Sequence, residues 1–146
     1  LLEYNVRLGD PEAQALLPRL QTDFVELCAR SAAMALYQQE PLKWDPRSAV
    51  CVVMASGGYP GAHGKGKVIS GLRAAARLKD VVVFHAGTEL SGGKVVTNGG
   101  RVLGVTALGK DIPDAIVRAY RAVEKIRWEG VHYRTDIGRK ALGRAA

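Results

Sequence analysis

Cysteine, histidine and long apolar runs are all scarce in this sequence, and each shortage removes a class of protein. The two cysteines, Cys28 and Cys51, have no CxxC spacing and no histidine-rich surroundings. That excludes a zinc module, a thioredoxin-type pair and a disulfide framework. Two isolated thiols suit a reducing compartment, so both are expected buried and the protein cytoplasmic. The longest apolar run, Ala49 to Ala55, has the length of a buried strand and is far short of a membrane span. The opening residues are apolar and acidic with no basic segment, so they do not read as a secretory signal. His63, His85 and His132 are widely spaced and no nucleophile-elbow pattern accompanies them, so a Ser-His-Asp hydrolase is not indicated. Gly57-Gly58-Tyr59-Pro60-Gly61 is not followed by Gly-Lys-Ser/Thr, and Gly64-x-Gly66 is not a dinucleotide fingerprint. No internal repeat or low-complexity tract appears.

What is present is an ordinary globular composition. The 146 residues, 47% of them hydrophobic, make one domain, or one domain with part of another. The net charge of +7 and pI near 9.7 invite a nucleic-acid reading. From Val117 onward Arg118, Arg121, Lys125, Arg127, Arg134, Arg139, Lys140 and Arg144 outnumber Glu124, Glu129 and Asp136. No RNP-like aromatic motif or finger spacing goes with them, and a basic surface equally attracts nucleotide phosphates. A small, basic, non-enzymatic nucleic-acid-binding domain stays as the alternative function.

Periodicity suggests the element order. Leu2, Tyr4, Val6 and Leu8 alternate with Glu3, Asn5 and Arg7, as in a strand. Asp10 is placed to cap a short helical turn that Pro11 opens, and the three- and four-residue spacing from Leu16 to Met34 predicts a main helix over 18–37. Residues 48–56 and 81–86 read as buried strands, and 68–70 as a short one. Lys94–Thr97 and Arg101–Ala107 flank Asn98-Gly99 and predict a hairpin with a primed turn. A last long helix starts at Asp111 and runs to Trp128, with one more helical piece from Asp136. The expected fold class is α+β: a small, mainly antiparallel sheet with two long helices packed on it.

The opening strand carries the most chemistry. Its polar residues share one face, with neighbours about 6.6 Å apart. Glu3 and Asn5 are hard oxygen donors, and one carboxylate with one amide oxygen suits Mg²⁺, which keeps several waters and shares substrate phosphates. The planar fork of Arg7 suits a carboxylate or phosphate. As bare chemistry the same pattern also fits a half-solvated edge strand. The glycines of 57–61 free backbone amides that can bind an anion, or they make a plain turn. His85, in an apolar strand, reads as a hydrogen-bonded core histidine, and Arg101 as a surface charge.

Glu-x-Asn-x-Arg-x-Gly-Asp-Pro-Glu over residues 3–12 resembles the metal-binding strand of ATP-grasp ligases. Four later blocks are similar to one such family, the glycinamide ribonucleotide synthetases. They are Val53-Met54-Ala55-Ser56-Gly57-Gly58-Tyr59-Pro60-Gly61, Val83-Phe84-His85-Ala86-Gly87-Thr88, Val96 to Gly109 and Tyr133 to Ala141. The resemblance covers almost the whole chain. It implies part of a ligase of purine biosynthesis that joins glycine to 5-phosphoribosylamine at the expense of ATP, through a glycyl phosphate. It implies Mg²⁺ (or Mn²⁺) on Glu3 and Asn5, and Arg7 as the catalytic residue that orients the glycine carboxylate or steadies the acyl phosphate. Asp10, Glu12, Gly57, Gly58 and Tyr59 are then candidates for substrate binding, and Leu2 for the nucleotide pocket. Residues 1–40 would close the ATP-grasp core and 41–146 form a C-terminal α+β domain. The partner expected is the N-terminal part of the same enzyme, without which the chain would not catalyse ligation; neither membrane nor nucleic acid is an expected partner. Another ATP-grasp ligase or a carboxylase is the remaining enzymatic alternative.

Overall fold

The computed structural model describes Tyr4 and residues 6–143. Its centre is a strand pair. β1 (Ser48–Ala55) runs antiparallel to β5 (Arg101–Gly109), from Ser48 opposite Gly109 to Met54 opposite Leu103. β2 (Val81–His85) takes the other edge of β5, and β6 (His132–Tyr133) the other edge of β1. The sheet order is β2-β5-β1-β6. Strand alternation sorts the side chains: Val50, Val52, Met54, Leu103, Val105 and Ala107 share one face, and Cys51, Val53, Gly104 and Thr106 the other.

α4 (Ile112–Val123) covers the first face with Ala115, Ala119, Ala122 and Val123, all fully buried. Alanines let the helix approach closely; Gly109, at the end of β5, lies so near the Ala115 backbone that a Cβ has no room. The helix starts where expected, Asp111 accepting a hydrogen bond from the Asp114 amide at 2.8 Å. It ends at Val123, short of the expected Trp128, because the chain turns there and folds Ile126 and Trp128 into the core. Burying side chains such as Leu103 and Ile126 stabilises the fold by about 1.5–3 kcal/mol each.

The hairpin lies elsewhere than predicted. β3 (Thr88–Ser91) pairs with β4 (Lys94–Thr97) around Gly92-Gly93, whose φ angles of 54° and 74° suit a primed turn. β5 has both edges occupied by β1 and β2, so it cannot also pair with β4. Asn98-Gly99-Gly100 instead carries the chain from one sheet to the other. Residues 68–70 form bridges rather than a strand, Val68 to Val96 and Ser70 to Arg127. α3 (Leu72–Ala76) precedes β2, and α5 (Arg139–Leu142) is the last piece.

The opening strand is not formed at its described positions, Tyr4 and Val6 to Leu8. Tyr4 is 82% and Val6 94% exposed, so the apolar alternation has no surface to pack on. The helix predicted over 18–37 is divided. α1 (Glu12–Leu16) runs into a 3₁₀ turn, Leu17–Arg19; Leu20 extends to bridge Trp44; α2 (Phe24–Ala32) restarts behind Asp23. The Asp23 carboxylate accepts from the Val25 and Glu26 amides, a cap that fixes the second start. Met34, at φ 54°, then breaks the path before a 3₁₀ turn at Leu36–Gln38. α1 rests on the second face of the sheet, where Thr106 Oγ1 donates to the Gln14 carbonyl at 2.9 Å.

Candidate functional site

One end of the large sheet gathers most of the described candidates. β1 leaves it through Ser56, whose amide donates to the Gly100 carbonyl and whose hydroxyl donates to the Gly99 carbonyl, both at 2.8 Å. The turn that follows is packed to the backbone. A Cβ on Gly57 would stand 2.8 Å from the Gly130 carbonyl, and Gly58 holds φ +92°. The Tyr59 ring lies on Gly100, which leaves no room for a side chain there, and meets His63 edge-on at 6.0 Å. Gly87 and Gly99 touch, and the Asn98 amide donates to the Gly87 carbonyl at 2.7 Å. Gly57 and Gly58, which suggested an anion cradle, thus each have a packing or backbone reason. His85 is exposed rather than in the core, and its Nδ1 pairs with Thr88 Oγ1 at 3.0 Å.

Arg101, expected as a surface charge, reaches the opening segment. Its Nη1 donates to the Asp10 carbonyl at 2.7 Å and its Nη2 lies 3.4 Å from the Asp10 carboxylate. Asp10 is not the cap of α1 that its position suggested. Pro11 occupies the cap position, and the Asp10 carboxylate instead accepts from Gln14 Nε2 at 2.8 Å. Glu12 folds its carboxylate over Gly9. Gly9, Asp10, Gln14, Leu17, Phe84 and His85 border a cleft of about 280 Å³.

Arg7 is exposed, and its guanidinium donates to the Leu8 carbonyl at 3.1 Å. Leu2, Glu3 and Asn5 lie outside the described residues. Among the described residues no three His, Cys, Asp or Glu side chains converge as metal ligands, so the metal expectation rests on Glu3 and Asn5. Their donor set, a carboxylate and an amide oxygen, fits Mg²⁺ or Mn²⁺.

The far end of the sheet is held by charge. Arg47 bridges Asp45 at 2.7 Å and Asp80 at 2.8 Å, while Arg118 meets Asp114 at 2.9 Å and Asp80 at 3.4 Å. Hydrogen bonds from Arg47 hold the Asp45 carboxyl down at about 2. Arg47 and Arg118 likewise lower Asp80 and Asp114 respectively. Arg30, Lys67 and Arg134 are also in ion pairs, with Glu26, Glu129 and Asp136; such pairs cancel one charge of each sign and leave the net charge of +7 unchanged. Both cysteines are free thiols, Cys28 exposed and Cys51 half-buried, where burial was expected for each. Burial raises the Cys51 thiol above its ordinary pKa. No described helix is long and apolar enough to cross a membrane.

A helix-backed antiparallel sheet with a second, two-stranded sheet at its glycine-packed end is the fold of part of a solved ligase. The crystal structure of phosphoribosylamine–glycine ligase from Thermotoga maritima matches 93% of this chain with a TM-score of 0.78 and 38% identity, using 32% of its own length. Residues 49–140 match the family described as phosphoribosylglycinamide synthetase, C domain, and the chain belongs to that family. Relatives named phosphoribosylamine–glycine ligase agree. That of Synechocystis is 58% identical over 142 residues, 97% of this chain and 34% of its own. That of Vibrio cholerae is 53% identical over 146 residues, 99% of this chain and 33% of its own. The chain spans about a third of the length of the curated relatives it matches.

Proposed function

We propose that this chain serves as the C-terminal part of an ATP-dependent ligase that joins glycine to 5-phosphoribosylamine in cytoplasmic purine biosynthesis. The observation that carries the reading is the match of nearly the whole chain, at 58% identity, to a third of a relative named for that reaction. Residues 1–40 then close an ATP-grasp core and 41–146 form the C-terminal domain. The free faces support this division. α2 buries none of its residues, and Phe24, Leu27, Cys28, Leu36 and Leu42 line an open apolar cleft of about 540 Å³. Such a surface suits the missing N-terminal part of the enzyme, which would supply the rest of the core. α1, in contrast, packs on β1 and β5, so the segment that follows Arg7 is anchored to the sheet.

Within that enzyme Glu3 and Asn5 hold Mg²⁺ or Mn²⁺. The metal, when bound, neutralises charge that develops on the phosphates during transfer. Arg7 orients the glycine carboxylate toward the γ-phosphate and steadies the acyl phosphate by its fixed positive charge. The ribosylamine nitrogen then attacks the glycyl carbonyl and phosphate leaves. Asp10 and Glu12 order the segment that carries Arg7, and Leu2 lines the nucleotide pocket. Gly57, Gly58 and Tyr59 face the substrate from the sheet end, where their backbone is rigid.

The test is substrate dependence of ADP release by the complete ligase. Release that requires both glycine and 5-phosphoribosylamine is expected. Release without a glycine requirement would point to another ATP-grasp ligase or a carboxylase. Glu3→Ala and Asn5→Ala should each raise the Mg²⁺ concentration needed for half-maximal rate by about tenfold or more; an unchanged requirement would remove those two residues from the metal.

A further inference from the structure

The pairing of β1 with β5 slips by one residue beside the candidate site. Met54 faces Leu103, but Ala55 faces Arg101, so Val102 is an extra residue on β5. Without the slip, Arg101 would share the face of Leu103 and Val105, which α4 covers. The bulge turns it to the face of Ala55, where α1 and Asp10 lie. Bulges often re-aim a side chain in this way next to a functional site.

Resting on the ligase reading above, we propose that Arg101 is a positioning residue, which clamps the Gly9-Asp10 turn to the sheet and so sets the place of Arg7. Two different groups of Asp10 are held by one guanidinium: the carbonyl by Nη1 and the carboxylate by Nη2. The contact spans 91 residues of sequence. The base of the clamp is rigid, since Gly100 is pinned under Tyr59 and the Gly99 and Gly100 carbonyls accept from Ser56. The held part is braced as well: Asp10 also accepts from Gln14, and the Gln14 carbonyl accepts from Thr106 of the same strand β5. The Arg101 and Asp10 side chains are 41% and 49% exposed, and an ion pair in that setting adds little to stability. Its effect is on geometry: Arg7 lies three residues before Asp10, and among the described residues its guanidinium bonds the neighbouring Leu8 carbonyl.

The experiment compares Arg101→Ala, Arg101→Lys, Arg7→Ala and the double variant R7A/R101A in the complete ligase. Hydrogen exchange is followed at the Ala13 amide, which donates to the Gly9 carbonyl. R101A should lower kcat by about 10- to 100-fold with KM for ATP little changed, since misplacing a catalytic group costs rate. R101K should fall between, because an ammonium makes one of the two contacts and not a planar pair. The double variant should be no slower than R7A, as residues that act as a unit are not additive. Ala13 should exchange faster in R101A while β1 and β5 keep their protection. An unchanged kcat in R101A, unchanged Ala13 exchange, or losses that multiply in the double variant would overturn the clamp. A fully active R7A would instead overturn the role given to Arg7, and the clamp on Asp10 is then decided by R101A alone, on its rate and its exchange.

Discussion

Gly58 shows how a residue's chemistry can be read two ways. Its sequence context suggests a phosphate cradle, while its φ of +92° and the Ala62 carbonyl beside it demand glycine for the turn itself. Gly58→Ala should therefore destabilise the protein by about 1–3 kcal/mol, whatever its effect on binding; urea unfolding measures this, and an unchanged midpoint would refute the packing argument. Asp45 makes a prediction of a different kind. Arg47 holds its carboxyl at about 2 against an ordinary 3.8, so the folded protein protonates later than the unfolded chain. The stability this adds is complete above about pH 4 and is lost as the pH falls through about 2. Thermal melts should show Arg47→Met less stable than the parent at about pH 6, with the gap closing toward about pH 2. A gap that does not depend on pH would rule the linkage out. At this scale the sequence was legible where residue type decides chemistry, as with Asp111 at the start of α4. It read Arg101 as a surface charge and missed its contact with Asp10, because a bulge that redirects a side chain leaves no mark in the spacing.

Elements were legible where one face is buried and illegible where the ends decide. β1 and α4 follow from their apolar patterns, which match their buried faces, whereas β2, also expected buried, lies at the sheet edge with Val82 44% exposed. The helix over 18–37 did not survive, because Leu20 bridges Trp44 and Asp23 caps a new start. The Asn98-Gly99 hairpin failed because strand partners are chosen by the whole sheet, which already fills both edges of β5. α4 offers the element-scale test. Ala119 is fully buried against the sheet and Val117 is 65% exposed on the opposite face. Ala119→Leu should cost about 1–3 kcal/mol through overpacking, and Val117→Leu close to nothing. Equal effects would mean that the helix is not seated on the sheet by its alanine face.

At the scale of the whole molecule, the described residues form a sheet with one well-packed face and a set of exposed apolar surfaces. Phe24, Val25, Met34, Leu36 and Tyr37 are all exposed, and α2 buries none of its residues although it touches the Leu36–Gln38 turn. The end of the sheet collects Asp10, Arg101 and the Tyr59 turn, but the described part contains no metal-binding cluster. The resemblance carried by five sequence blocks pointed to a family whose members are about three times longer. Composition and periodicity alone could not have done so, because a half-built site and an ordinary surface have the same residue types. The account rests on this chain working as the C-terminal part of a glycine ligase. The most direct measurement mixes the 146-residue chain with the separately expressed N-terminal portion and follows ADP release dependent on glycine and 5-phosphoribosylamine. Activity is expected from the mixture and from neither piece alone. Full activity from this chain by itself, or none from a mixture shown to associate, would contradict the account.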